Sequence, residues 1–259
     1  MQRAVTYKKI RPRGDRPPAP APPPGPAPGP AIDLATLARL VRADGQPPGE
    51  PPDRPAAPAR QTVIAYLAAN PTSTHPLKQG EECADIMREL RLAPFRDDFR
   101  IESRWAVTSD ELLRHLTELD PEVIHLSGHG RNGAFALQDE HGLAELVSPR
   151  ALAKMIGAAA PSARVVVLNA CSSMAHAEAL RAKVDVVVAM DGAISDTAAR
   201  MFAARFFGAL GNRRSVGNAV ELGLARLAAK ELPDEALPRC VTRDGVDADR
   251  VVVSGRRPA

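Results

Sequence analysis

Two residues of this sequence suit nucleophilic chemistry: a cysteine where an apolar run stops, and an upstream histidine held between two glycines. Cys171 closes the run Val165-Val166-Val167-Leu168-Asn169-Ala170 and is followed by Ser172-Ser173 and a helical pattern. A continuous, mostly β-branched run reads as a strand buried on both faces, and Ser172 or Ser173 is placed to cap the next helix. Cys171 then lies at the carboxyl end of a sheet strand, where open α/β sheets bind their ligands. The partial positive charge of a helix start favours thiolate over thiol there. A thiolate nucleophile needs a base.

The matching base is His129, in Val123-Ile124-His125-Leu126-Ser127-Gly128-His129-Gly130. Its flanking glycines let the backbone turn sharply and leave room for a substrate beside the imidazole. Parallel neighbouring strands that end in His129 and Cys171 would bring base and nucleophile to one rim. The chemistry would be acyl transfer: the thiolate attacks a peptide carbonyl, His129 protonates the departing amine, and the same imidazole activates the water that frees the acyl group. Alone, Cys171 would read as a packed core cysteine; its place at a strand end, with His129 upstream, favours the nucleophile.

The remaining candidates read as structural. His125 lies inside its strand as a core or supporting residue, His141 in a solvated turn, and His176 on the surface of the helix after Cys171. Cys83 and Cys240 have no glycine-flanked histidine near them. No cysteine–histidine spacing matches a zinc site, and no cofactor is expected. Neither GxxxxGK[ST] nor GxGxxG occurs, which argues against a nucleotide-binding module, and GxSxG is absent as well.

The elements that must position the pair alternate in type. Strands are expected at 62–69, 99–107, 123–129, 165–170 and 184–190, with a short antiparallel extra at 133–137. Helices are expected at 80–92, 109–119, from Ser148-Pro149, at 174–182, 195–210 and 215–230. That alternation predicts a largely parallel sheet covered on both faces. Beyond residue 235 the reading stays open between a loose tail and a last strand at 250–253.

In that order and spacing, the Ser-Gly-His-Gly and Asn-Ala-Cys-Ser turns resemble the bacterial CHAT domain, a relative of caspases and separases. The resemblance also takes in Leu67-Ala68-Ala69-Asn70-Pro71-Thr72, Ser103-Arg104-Trp105-Ala106, Ile194-Ser195-Asp196 and Arg214-Ser215-Val216-Gly217-Asn218-Ala219. It implies a caspase-like three-layer sandwich, a mostly parallel sheet flanked by helices, over 61–235. It further implies a cysteine endopeptidase with a His129/Cys171 dyad and an oxyanion hole built from the amides of Gly130 and Cys171. A protein or peptide substrate, and a role as a regulated effector in bacterial signalling or defence, follow from the same resemblance. Relatives that cut after basic residues carry acids in the receiving pocket. Here Asn169 stands two residues before the nucleophile, where some of them have aspartate, while Asp191 and Asp196 follow the next strand. Asp196 reads equally as the first acid of a helix. The alternative is a catalytically idle scaffold of the same fold, which predicts a Cys171 that is buried or out of contact with His129.

Composition sets the limits. The 259 residues are 44% hydrophobic and only 3% aromatic, so the core is built from Val, Leu, Ile and Ala. Residues 1–60 hold 16 of the 25 prolines, with ten Lys/Arg against five Asp/Glu, a formal +5 that leaves −2 for the rest. The segment reads as a disordered, basic, Pro-rich tail that recruits an activator or scaffold protein. Within it, 33–42 reads as a short helix capped by Asp33, either transient or a docking peptide. Residues 236–259 form a C-terminal extension. The basic balance belongs to the tail, so nucleic-acid binding is not implied. No run reaches the apolar length of a membrane span, no secretory leader is visible, and three scattered cysteines make no disulfide framework. A cytoplasmic, reducing setting is expected.

Overall fold

The Val-rich runs become the central strands, and their register decides where the two chemical residues end up. The computed structural model describes residues 61–131 and 133–254; the expectations for 1–60, including the 33–42 helix, lie outside the described residues. The order is β1 (Thr62–Ala68), α1 (Gln79–Leu92), β2 (Phe99–Arg104), α2 (Ser109–Leu119), β3 (Val123–Ser127), β4 (His129–Arg131), β5 (Ala134–Gln138) and β6 (Ala144–Val147). It continues through α3 (Pro149–Ala159), β7 (Val165–Asn169), α4 (Met174–Leu180), β8 (Val186–Met190), α5 (Asp196–Leu210), α6 (Val216–Ala228) and β9 (Pro238–Thr242).

The main sheet runs β2-β1-β3-β7-β8-β9, parallel except for β9 at one edge. Every residue of β1, β3, β7 and β8 is buried, which is why these strands read as apolar runs rather than alternating ones. One face, with Ile64, Val165, Val167 and Val188, packs on Ile86 of α1 and Phe202, Phe206 and Phe207 of α5, backed by α6. The other face, with Leu67, Leu126, Val166 and Leu168, packs on Leu112, Leu116, Leu152 and Ile156 of α2 and α3. The result is the expected helix–sheet–helix sandwich.

Helix starts follow local chemistry. Thr108 and Glu111 form a reciprocal capping box at α2, and Ser148, followed by Pro149, caps α3. Ser195 and Ser215 each accept a backbone N–H at the starts of α5 and α6.

The structure differs from the sequence reading at three points. The strand of His129 is not the strand of His125: β3 stops at Ser127, and His129 opens β4, which pairs antiparallel with β5 in a separate β4-β5-β6 sheet. The β6 strand was not foreseen, because its Ala-Glu-Leu-Val is short and largely solvent-facing. The last strand is β9 at 238–242, not 250–253; Pro238 is tolerated because β9 lies on the sheet edge. Val251 and Val253 are buried without joining a sheet, and the Val251 carbonyl accepts the Val216 N–H at the start of α6 (2.8 Å).

Candidate active site

Register brings the histidine and cysteine together. Ser127 pairs with Asn169 across β3 and β7, so His129 and Cys171, each two residues further on, leave the sheet at the same level. The ladder continues one step beyond the strands, with Gly128 N–H donating to Asn169 O at 3.3 Å.

The two glycines beside His129 serve close approach, since neither has a positive φ. A Cβ on Gly128 would come within 2.9 Å of the buried Phe135 ring, and one on Gly130 within 1.7 Å of the Cys171 carbonyl oxygen. The start of β4 is thus laid directly against the backbone of Cys171.

His129 Nε2 lies 2.8 Å from the carbonyl oxygen of His75, in the loop after β1. A carbonyl can only accept, so Nε2 carries the proton and Nδ1 holds the basic lone pair. His75 was not assigned from sequence, and a role played by a backbone carbonyl leaves no side-chain signal. The Cys171 thiol is half-buried and donates to Ile194 O at 3.7 Å. Among the described residues no hydrogen bond joins Cys171 Sγ to the His129 ring. Both side chains line one narrow cleft of about 40 Å³, together with Leu77, Asn169, Ile194 and Asp196. A wider groove of about 470 Å³, between the 72–75 loop and β4, opens on the other side of His129.

The turn after Cys171 is pinned. Ser172 adopts a left-handed φ of 52° and its N–H donates to Gly192 O (2.8 Å), while Ser173 N–H donates to Met190 O (2.9 Å). The expected side-chain cap is absent: Ser173 occupies the cap position of α4, but its hydroxyl donates to Leu168 O and accepts Met190 N–H, tying the turn to β7 and β8. Among the described residues no acceptor takes the Cys171 N–H.

A polar cluster underlies the cleft, on the face covered by α1. Glu82, 3% exposed, takes His125 Nε2–H on Oε1 (2.7 Å) and Asn169 Nδ2–H on the same oxygen (2.5 Å). Its Oε2 accepts the hydroxyl of Ser127 (2.6 Å) and lies 3.1 Å from that of Tyr66, whose single proton is shared with Gln79 O at 2.9 Å. Burial alone would raise this carboxyl. The attraction of His125 and the hydrogen bonds from His125, Ser127 and Asn169 outweigh that and hold it below its ordinary 4.5. Glu82 was not singled out from sequence. Its spacing with Ile86 and Leu90, which puts all three on the inward face, was the available signal.

The other assigned residues divide. Asp196, in the first turn of α5, both serves the helix start and lines the cleft. Asp191 does not line it; exposed at the end of β8, it faces Arg239 at 3.7 Å. His176, expected at the surface, is 1% exposed, because α4 turns it under β6 where Val147 O meets its Nε2. Burial lowers its pKa, partly offset by that carbonyl. Cys83 is buried, and burial with the Glu82 charge pushes its thiol up to about 11. No group of His, Cys, Asp and Glu side chains among the described residues is arranged to hold a metal ion. Nor is any described helix long and apolar enough to cross a membrane.

A family model for the CHAT domain matches residues 30–235. The chain belongs to the CHAT domain family. Its match with a Roc-COR-CHAT protease from an unknown prokaryotic organism is 26% identical over 180 residues, 66% of this chain and 17% of that protein. A probable protease of Gillisia limnaea is 24% identical over 152 residues, 58% of this chain and 27% of that one. The chain therefore spans well under half the length of these curated relatives. The CHAT fold here is that of caspase-like proteins. A secreted C11 cysteine protease from Bacteroides thetaiotaomicron matches with TM-score 0.53 at 13% identity, covering 75% of this chain and 64% of that one. The Arg-specific cysteine proteinase gingipain R has the same score and identity, covering 75% and 48%. Caspase-1 from Spodoptera frugiperda gives 0.51 at 12%, covering 71% and 87%.

Proposed function

We propose that this chain is a cysteine endopeptidase working through His129 and Cys171 on a protein or peptide substrate. The observation that carries the reading is the Ser127–Asn169 register, which delivers thiol and imidazole to one cleft. His75 O fixes the ring with Nδ1 as its base. Once the thiol turns from Ile194 O, Nδ1 takes its proton and the sulfur attacks the scissile carbonyl. The amides of Cys171 and Gly130 receive the developing oxyanion. His129 then protonates the leaving amine and activates the water that hydrolyses the acyl-enzyme. Asn169 and Asp196 border the space beside the thiol and contact the residue before the cut.

The thiol's bond to Ile194 O must break before attack, which fits a regulated enzyme; the role proposed for it is that of an effector in bacterial signalling or defence. The Pro-rich segment 1–60 is proposed to recruit the activator. The first test is labelling with a cysteine-directed peptide electrophile. Wild type should label at one cysteine, Cys171→Ala should lose the label, and His129→Ala should be greatly slowed. A label that survives Cys171→Ala overturns the assignment. A chain lacking residues 1–60 should label as wild type does but no longer capture a partner in a pull-down; equal capture rejects the recruiting role.

The idle-scaffold alternative draws on the missing contact between Cys171 and His129. Catalytic hydrogen bonds are commonly long before substrate arrives, however, and a half-buried thiol in a shared cleft suits the enzyme better.

A further inference from the structure

We propose that Glu82 is a positioning residue for the dyad: one buried carboxylate clamps β3 to β7 two residues short of His129 and Cys171, and so sets the spacing of the reacting groups. This rests on the endopeptidase reading above.

The inward residues of the face under α1 are apolar along most of each strand, as at Ile64, Val123, Val165 and Val167. Polar side chains enter only in the last two rows before the carboxyl rim, beside the apolar Val167 in one row and Ala68 in the next. Tyr66 pairs with His125 in one row, and Ser127 pairs with Asn169 in the next. His125, Ser127 and Asn169 direct donors at Glu82, and Tyr66 shares its one proton between Glu82 and Gln79 O. Gln79, a turn earlier on α1, adds donations to Ala69 O (3.0 Å) and Ser127 O (2.8 Å), fastening the same rim.

Stability alone does not account for this cluster. Well-packed apolar residues usually hold a core as well as a buried charge network does. The cluster also leaves two buried atoms, His125 Nδ1 and Asn169 Oδ1, without a partner. What it supplies is directional. Hydrogen bonds of 2.5–2.7 Å from β3 and β7 to one carboxylate fix the lateral and axial relation of these strands at their ends. Apolar packing tolerates small slides there, and a dyad does not, since a displacement of about 1 Å can cost on the order of 100-fold in rate. The titratable groups facing Glu82 are Tyr66 on β1, His125 on β3 and Cys83 on its own helix; β7 offers only the neutral Asn169.

The test uses the full chain and iodoacetamide, which needs no substrate. The alkylation rate of Cys171 is read by mass spectrometry across a pH series, with folding checked by circular dichroism. The part of the rate lost in His129→Ala defines the dyad's contribution. Glu82→Gln and Asn169→Ala, though folded, should each lose at least tenfold of that contribution and adopt the His129→Ala pH profile. Ser127→Ala should lose less, because Glu82 keeps its bonds to His125 and Asn169. If Glu82→Gln does not fold, Asn169→Ala decides, since it cuts only the link to β7. Folded variants that merely melt earlier while keeping the wild-type profile overturn the positioning role. A His129→Ala profile identical to wild type instead overturns the dyad itself, and the positioning role with it.

Discussion

Replacing Gly130 by alanine should lower Cys171-dependent peptide hydrolysis by about 100-fold or more, in a protein that still folds. The added Cβ would lie 1.7 Å from the Cys171 carbonyl oxygen and 2.8 Å from its carbonyl carbon. Both are backbone atoms, so no side-chain rotation relieves the overlap. Either β4 lifts away or the Cys171 peptide rotates. The first moves His129, which begins β4; the second moves the thiol and the amide proposed for the oxyanion. The stability cost should stay within about 1–3 kcal/mol, the range for overpacking, because β4 is a short strand with partly exposed residues. Kinetics on the folded variant beside a thermal melt check both halves. Activity within threefold of wild type would mean that the close approach of β4 to the nucleophile does not matter to catalysis.

Gly130 also marks what could be read in advance. Its place beside His129 was visible, and that place suggested a sharp turn and room for substrate. The structural reason is contact with a residue far along the chain, and no local pattern encodes that. The long strands and helices were legible because they are buried on regular faces: Val165–Asn169 and Val186–Met190 have nothing but apolar or pairing positions. Placing Cys171 just past the end of a buried strand was legible for the same reason, whereas His129, expected at a strand end, opens β4. The break between β3 and β4 was not, since Gly128 lets the chain leave one sheet and enter another without interrupting the apolar pattern. Glu82 went unremarked, although its spacing with Ile86 and Leu90 marked an inward face. His176 was misplaced because a seven-residue helix gives too little periodicity to tell its faces apart.

Glu82 yields the second large effect, in the pH dependence of stability. Its carboxyl titrates below 4.5 in the folded protein and near the ordinary value once unfolded. The folded state therefore prefers the ionised form. The stabilisation is fully present above the unfolded value and is lost as pH falls through the lower folded value. At neutral pH, Glu82→Gln should cost about 3–5 kcal/mol, as breaking a buried charged network does. In either orientation the amide nitrogen it introduces would face one pair of groups that now donate to the carboxylate, His125 with Asn169 or Ser127 with Tyr66. As pH drops below 4.5 the wild type should lose its advantage, because a protonated Glu82 also presents a donor to the same crowded set. Urea melts of both proteins over an acid series measure that gap directly. A gap that narrows only in the acid range assigns the stabilisation to the Glu82 charge. A gap that stays constant down to the acid limit of folding would assign it to packing around α1, leaving the carboxylate with no part in holding β3 and β7 together.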